Sequence, residues 1–149
     1  MSERESNLSN QAVECFKSGF SCSQAVLSTF CERQGMDRAM ALKVSCAFGG
    51  GIASTGSICG VVSGGLMAIG LKYGRHTIED LSAKDKTYEI SRQFMNEFKA
   101  RHDSLICKEI LGCDLNTPDG KAEFKNKDLF NVACVDCVRD SALILEKLL

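Results

Sequence analysis

Proline occurs once in the 149 residues, as Pro118, tryptophan not at all, and histidine only at positions 76 and 102. Proline removes a backbone donor and collides with the preceding helical turn, so a chain with a single proline is free to run in long helices. Scarce histidine argues against a histidine-rich metal site. Both histidines sit among charges, in Arg75-His76 and Arg101-His102-Asp103, and read as solvated helix ends. Neither sign of charge dominates: 18 basic and 19 acidic side chains leave a formal net charge of −1. Such a balance provides no field to draw in nucleic acid or an anionic membrane. P-loop, dinucleotide fingerprint and nucleophile elbow are all missing, because Gly49-Gly50-Gly51 has neither the G-x-G-x-x-G spacing nor a strand before it. No nucleotide cofactor is indicated. The polar start, Met1 to Asn10, lacks the basic-then-apolar pattern of a secretory signal, and a cytoplasmic location is expected.

What is present reads as helix. The length suits one domain over 1–149, with 1–8 as a flexible N-terminus. Helical periodicity predicts helices near 9–17, 21–34, 37–48, 57–73, 78–101, 104–111 and 130–148, and therefore an all-α, single-domain helical bundle. In 78–101, Ile78, Leu81, Tyr88, Phe94, Met95 and Phe98 form the expected apolar face. The terminal helix repeats the logic with Val132, Val135, Val138, Ala142, Leu145 and Leu149. Between them, 113–129 reads as a polar, mobile loop with a turn at Asn116-Thr-Pro-Asp-Gly120. From Val44 to Leu71 no charged residue occurs, so a membrane span must be considered. Glycines at 49, 50, 51, 56, 60, 64, 65 and 70 weigh against insertion into lipid. They favour a glycine-rich central helix pair joined at Gly49–Gly51, with Gly56, Gly60 and Gly64 in one row that admits another backbone.

Nine cysteines, an odd number, cannot all be structural disulfides in a monomer, and a reducing compartment argues against most of them. Four follow helix-start signals. Ser21 and Gln24 fit a capping box that makes Cys22 the first helical residue. Ser57 can cap a helix carrying Cys59, Asp103 or Ser104 one carrying Cys107, and Asn131 one carrying Cys134. A first turn concentrates free N–H groups and the positive end of the helix dipole, which predicts lowered thiol pKa values. Four such ends could offset the charge of four thiolates around an iron–sulfur cluster or a zinc ion. Cys134-Val-Asp-Cys137 is a C-x-x-C whose sulfurs share a helix face, so Cys137 is the alternative to Cys134. Cys15, Cys31 and Cys46 read as buried structural residues, and Cys113 as a weaker candidate that could pair with Cys107.

The segments Gly19-Phe-Ser-Cys-Ser-Gln-Ala-Val26, Phe48-Gly-Gly-Gly-Ile52, Cys59-Gly-Val-Val-Ser-Gly-Gly-Leu-Met67, Gly70-Leu-Lys-Tyr-Gly74 and Cys107-Lys-Glu-Ile-Leu-Gly112 resemble the redox-active C_GCAxxG_C_C family from about residue 12 to the C-terminus. The resemblance implies that Cys22, Cys59, Cys107 and Cys134, or Cys137 in place of the last, are the family's four characteristic cysteines. The family's C-G-A-x-x-G element stands here as Cys59-Gly60-Val61-Val62-Ser63-Gly64, with valine for alanine.

Two chemistries and one bland alternative follow. The first is a metal centre on Cys22, Cys59, Cys107 and Cys134, an iron–sulfur cluster before zinc, for electron transfer. The second is a thiol–disulfide oxidoreductase using a cysteine pair. The third is a helical interaction module whose cysteines only pack. Ser21, Gln24, Gly60 and Gly64 would shape the site. The expected partner is a redox protein or a small-molecule electron donor or acceptor, with a homodimer as a further expectation. No residue is identified as a general acid or base.

Overall fold

The glycines of the uncharged stretch set the arrangement of the bundle. In the computed structural model, which describes residues 7–149, the central helix is α4 (Gly60–Tyr73). It is apolar around its circumference and buries Val61, Val62, Ala68 and Ile69 together with Gly60, Gly64 and Gly65. Around it stand α2 (Cys22–Phe30), α5 (Leu81–His102) and α8 (Val135–Leu148), each in contact with it. A Cβ at Gly64 would lie 2.7 Å from the Ser23 carbonyl oxygen of α2, and one at Gly65 would lie 2.4 Å from the Phe94 ring of α5. The glycines thus let α4 touch backbone on one side and an aromatic ring on the other, and each contact is too close for any side chain.

The remaining elements close this core. α1 (Asn7–Lys17) lies against α2 and α8, and α3 (Arg38–Ser45) lies against α2. The expected capping box at Ser21 and Gln24 is present. The Gln24 amide reaches beyond it and donates to the Leu42 carbonyl at 2.9 Å, while the Ser23 hydroxyl donates to the Ser45 carbonyl at 2.8 Å. Two hydrogen bonds therefore tie α2 to α3. At the other end Tyr73 donates to the Leu148 carbonyl at 2.8 Å, and Lys72 bonds the Leu149 carbonyl, fastening the C-terminus to α4. The buried aromatics Phe30, Phe94 and Phe98 each contribute on the order of 1.5–3 kcal/mol through removal from water. Among the described residues there is no strand, only an isolated bridge between Ile58 and Ile106. No helix there is long and apolar enough to cross a membrane.

Several expectations need correction. Residues 1–6 of the expected flexible N-terminus lie outside the described residues, but Asn7 and Leu8 begin α1, and Leu8 is buried. The segment 113–129 is not an open loop: Thr117 caps α7 (Pro118–Asn126), accepting from the Gly120 amide at 2.9 Å, with Pro118 in the first turn. Proline there is a helix starter rather than a breaker. The apolar face of α5 is formed by buried Ile90, Phe94 and Phe98, with half-buried Met95 packed beside them. Ile78, which precedes α5, and Leu81 and Tyr88 in its N-terminal half are exposed, as is Val132 before α8. Gly56 does not share a helical row with Gly60 and Gly64, since α4 begins only at Gly60.

The close approach predicts opposite outcomes for two glycine substitutions in α4. Gly64→Ala collides with the Ser23 backbone and should destabilise the fold by about 1–3 kcal/mol. Gly70→Ala meets nothing within 4 Å and should stabilise it by roughly 0.5–1 kcal/mol. Chemical denaturation of both variants checks the pair, and equal effects would refute the contact as the determinant.

Candidate functional site

The cysteines reach the site through backbone devices, and only one of the expected caps is among them. Cys22 is the first residue of α2, as its cap requires. Cys59 is not inside a helix capped by Ser57 but is itself the N-cap of α4. Its neighbours pair in antiparallel fashion with the segment before α6 (Cys107–Leu111): the Cys59 amide donates to the Leu105 carbonyl at 2.8 Å and the Cys107 amide to the Ser57 carbonyl at 2.7 Å. The short ladder sets Cys59 opposite Leu105 and Cys107 opposite Ser57, and both cysteines line the same cavity. Ser104 bonds the Ile106 amide at 3.0 Å, one residue before the start of α6. Cys134 ends a π-helical turn, Phe130–Cys134, with no side-chain cap from Asn131. Phe130 of that turn stacks on Phe16 of α1 at 4.3 Å, which fixes the turn against the bundle.

Before Cys59 the chain makes a left-handed turn. Gly50, Gly51, Ile52, Ala53 and Ser54 all have positive φ, between 50° and 72°. For the three non-glycine residues that conformation costs roughly 1–2 kcal/mol each, and strain of this kind gathers at functional sites. The turn donates the Gly50 amide to the Cys22 sulfur. It also passes so close to Cys107 that a Cβ at Gly51 would lie 2.7 Å from the Cys107 Cβ. Gly60 has the same part on the other side, since a Cβ there would be 2.4 Å from Cys22 Sγ.

These segments enclose a cavity of about 360 Å³ lined by Cys22, Cys46, Cys59, Cys107, Cys134 and Cys137. Its other walls are mainly apolar and carry no charged side chain; Leu115 and Phe124, from the segment read as a polar loop, supply one of them. The four cysteines expected to converge therefore share one cavity, and Cys137, the alternative, joins them. Within it Cys22 and Cys59 lie near enough to shift each other's titration, and Cys137 near enough to shift that of Cys59. Cys107 and Cys134 stand near enough to Cys22 for mutual charge repulsion. As these side chains stand, no group of three or more His, Cys, Asp or Glu among the described residues is arranged to hold a metal ion.

The electrostatics run opposite to the sequence expectation. Backbone amides of Gly50 and Ser23 do point at Cys22, and that of Val61 at Cys59, and each favours the thiolate. They are outweighed. The hydrogen bond with Cys59, burial and charge repulsion hold the Cys22 thiol well above its ordinary value. The hydrogen bond with Cys137 and burial do the same to Cys59. Burial, reinforced by neighbouring thiols, pushes Cys107 up to about 11 and Cys134 up to about 12. Desolvation and like charge win because the cavity lining provides no cation.

Other cysteines divide differently than expected. Cys31 is buried, Cys15 is half-buried beside Ser28 and Arg38, and Cys46 is exposed at the end of α3. Cys113 is half-buried just past α6, close enough to Cys107 to repel its charge. His76 lies on the surface, whereas His102 was misread as solvated: its side chain is only 13% exposed. Its Nδ1 lies 3.7 Å from Cys137 Sγ and its Nε2 2.9 Å from Asp140 Oδ2. The i, i+3 spacing of Cys137 and Asp140 places them on one face of α8 and was visible beforehand. Nothing in the sequence showed that α5 would end against that face.

A family model described as "Putative redox-active protein (C_GCAxxG_C_C)" matches residues 20–148. No curated protein and no solved structure matches the chain.

The raised thiols carry a pH signature. A thiol whose pKa is higher folded than unfolded stabilises the fold fully below the unfolded value, near 9, and loses that contribution as pH rises through the folded value. Stability should therefore fall between pH 9 and about 12, by roughly 2–3 kcal/mol for Cys107 alone. Urea denaturation of wild type and Cys107→Ala across that range checks this, and parallel curves would contradict it.

Proposed function

The chain belongs to the C_GCAxxG_C_C family of redox-active proteins, and from that premise we propose that its redox chemistry is reversible disulfide formation between Cys22 and Cys59. The observation that carries this reading is that both thiols line one wall of the cavity, with Cys22 Sγ packed against Gly60, the residue after Cys59. Closing the bond removes two electrons and two protons from the pair, and the electrons leave to a disulfide-bearing protein or small molecule that meets the thiols through the cavity. In this scheme the strained turn at residues 50–54 and the bridge at Ile58 and Ile106 hold the thiols in place, so that oxidation needs little backbone movement. Gly60 keeps the approach open on the α4 side.

A second reading keeps the residues and exchanges the disulfide for an iron–sulfur cluster, or zinc, on Cys22, Cys59, Cys107 and Cys134. It is favoured by the arrival of these four cysteines, from four separate elements, in a single cavity. It requires the side chains to turn toward a common centre and to lose their protons, and a bound cation would supply the positive charge that the lining lacks.

One experiment separates the two. Protein purified anaerobically is assayed for iron, zinc and sulfide, then oxidised mildly and its disulfides mapped by mass spectrometry, in wild type and Cys59→Ser. The proposal expects metal-free, colourless protein with a Cys22–Cys59 bridge that disappears in the variant. Stoichiometric iron with visible charge-transfer bands, lost in Cys59→Ser, would replace it with the cluster.

A further inference from the structure

Buried thiols that hold their protons are poor nucleophiles, because the thiolate is the attacking species. A disulfide exchange at this cavity therefore needs a group that removes a proton from one of them, and the lining itself includes no histidine, carboxylate or amine. Among the described residues, an arrangement that meets the need lies just behind the wall, where α5 ends against α8. Cys137 Sγ shares the cavity lining with Cys59 and lies 3.7 Å from His102 Nδ1. His102 Nε2 lies 2.9 Å from Asp140 Oδ2. In a neutral imidazole Nε2–H donates to that carboxylate, so Nδ1 is left with its lone pair facing the thiol.

The ring is held on every side. Asp140 is anchored by Arg101, Nη1 to Oδ1 at 3.5 Å. Phe98, one turn back on α5, lies against the imidazole at 4.6 Å between centroids. Cys137 and Asp140 rise from the same face of α8, so thiol, base and carboxylate form one line across two helices. Nucleophile, base and orienting group in hydrogen-bond sequence make up the arrangement that activates thiols and hydroxyls for attack. Here it opens on an uncharged cavity of about 360 Å³, which suits a small ligand.

We propose that Cys137 is the attacking thiol of this protein, with His102 as its base and Asp140 as the positioning residue, and that its substrate is a small uncharged disulfide. The proposal rests on the thiol–disulfide reading above and extends it to a third cysteine. His102 takes the Cys137 proton, and the sulfur attacks one sulfur of the substrate. The substrate's S–S bond breaks, and the leaving thiolate receives that proton from His102. Cys59 then attacks the Cys137 sulfur of the mixed disulfide, forming Cys59–Cys137 and releasing the second thiol with the Cys59 proton. Cys22 attacks Cys59 in turn, the Cys22–Cys59 bond forms, and Cys137 regains a proton, that of Cys22. Overall, one disulfide is reduced to two thiols and one protein dithiol is oxidised.

The test uses the full chain carrying Cys46→Ser, which removes the exposed thiol, and bis(2-hydroxyethyl) disulfide as the probe. Adding Cys59→Ser blocks resolution, so the mixed disulfide should accumulate and be located on Cys137 by peptide mapping. His102→Ala should slow that labelling about 100-fold, and added imidazole should restore part of the rate, which a purely structural histidine would not allow. Asp140→Asn should slow it less, and Asp140→Glu should recover most of the loss. Circular dichroism confirms that each variant is folded. A mixed disulfide on Cys22, or labelling of Cys137 that is indifferent to His102, overturns the proposal and leaves a Cys22–Cys59 bridge intact as the function. If oxidised wild type lacks that bridge, the earlier reading fails, and the label on Cys137 still reports separately on its activation by His102.

Discussion

The close approach of α2 and α4 is the constraint on which the rest depends. At Gly64 the two backbones come so near that a methyl group would strike the Ser23 carbonyl. One turn earlier, at Gly60, the space a side chain would need is filled by the sulfur of Cys22. The contact that packs the bundle is thus the contact that sets Cys22 against Cys59. Ser23, the residue approached, is immobilised in turn by the bond from its hydroxyl to Ser45, so α2, α3 and α4 are fixed as a unit. A looser helix pair would bury the same apolar area with larger residues, but it would separate the thiols.

Two opposing effects meet at the cavity, and their balance determines its chemistry. Amides of the strained turn and of the helix starts point at Cys22 and Cys59 and favour their thiolates. Burial and the crowding of cysteines oppose them and prevail. Helix-end donors are worth roughly 0.3–1 kcal/mol each in exposed settings, whereas removing a charge from water without a partner costs several. Cys22, Cys59, Cys107 and Cys134 therefore rest as neutral thiols, each a better nucleophile once its proton has somewhere to go.

Much of this was legible in the sequence where the determinants are local. The capping box at Ser21 and Gln24, the single proline, the glycine spacing in α4 and the absence of alternating patterns all act within a few residues, and the all-α fold followed from them. Of the helix-start signals from which Cys22, Cys59, Cys107 and Cys134 are expected to converge, only that of Cys22 is present, and the cavity that all four line is built by tertiary packing. Long-range features were hidden. Whether the N-terminal turns of α5 are covered depends on where neighbouring helices stop, which is why Ile78, Leu81 and Tyr88 were misplaced. The segment 113–129 was read by its polarity, yet Thr117-Pro118 carries an N-cap signal that the polar composition obscured. The pKa direction failed because helix-end position is visible in a sequence and burial is not.

His102 shows the same limit in sharper form. Flanked by Arg101 and Asp103, it has every local mark of a solvated helix end, and by its neighbours alone it is one. Its role is set instead by Asp103, which adopts a left-handed conformation and ends α5, and by the face of α8 that the end meets. Arg101, next to it in sequence, remains partly in water and anchors Asp140 from outside, while the imidazole turns inward to Cys137. Adjacent residues at a helix end point about 100° apart, so one charged pair can contribute one member to the surface and the other to the interior. That division runs a line of polar groups from Cys137 at the cavity wall, through His102, to the partly exposed carboxylate of Asp140.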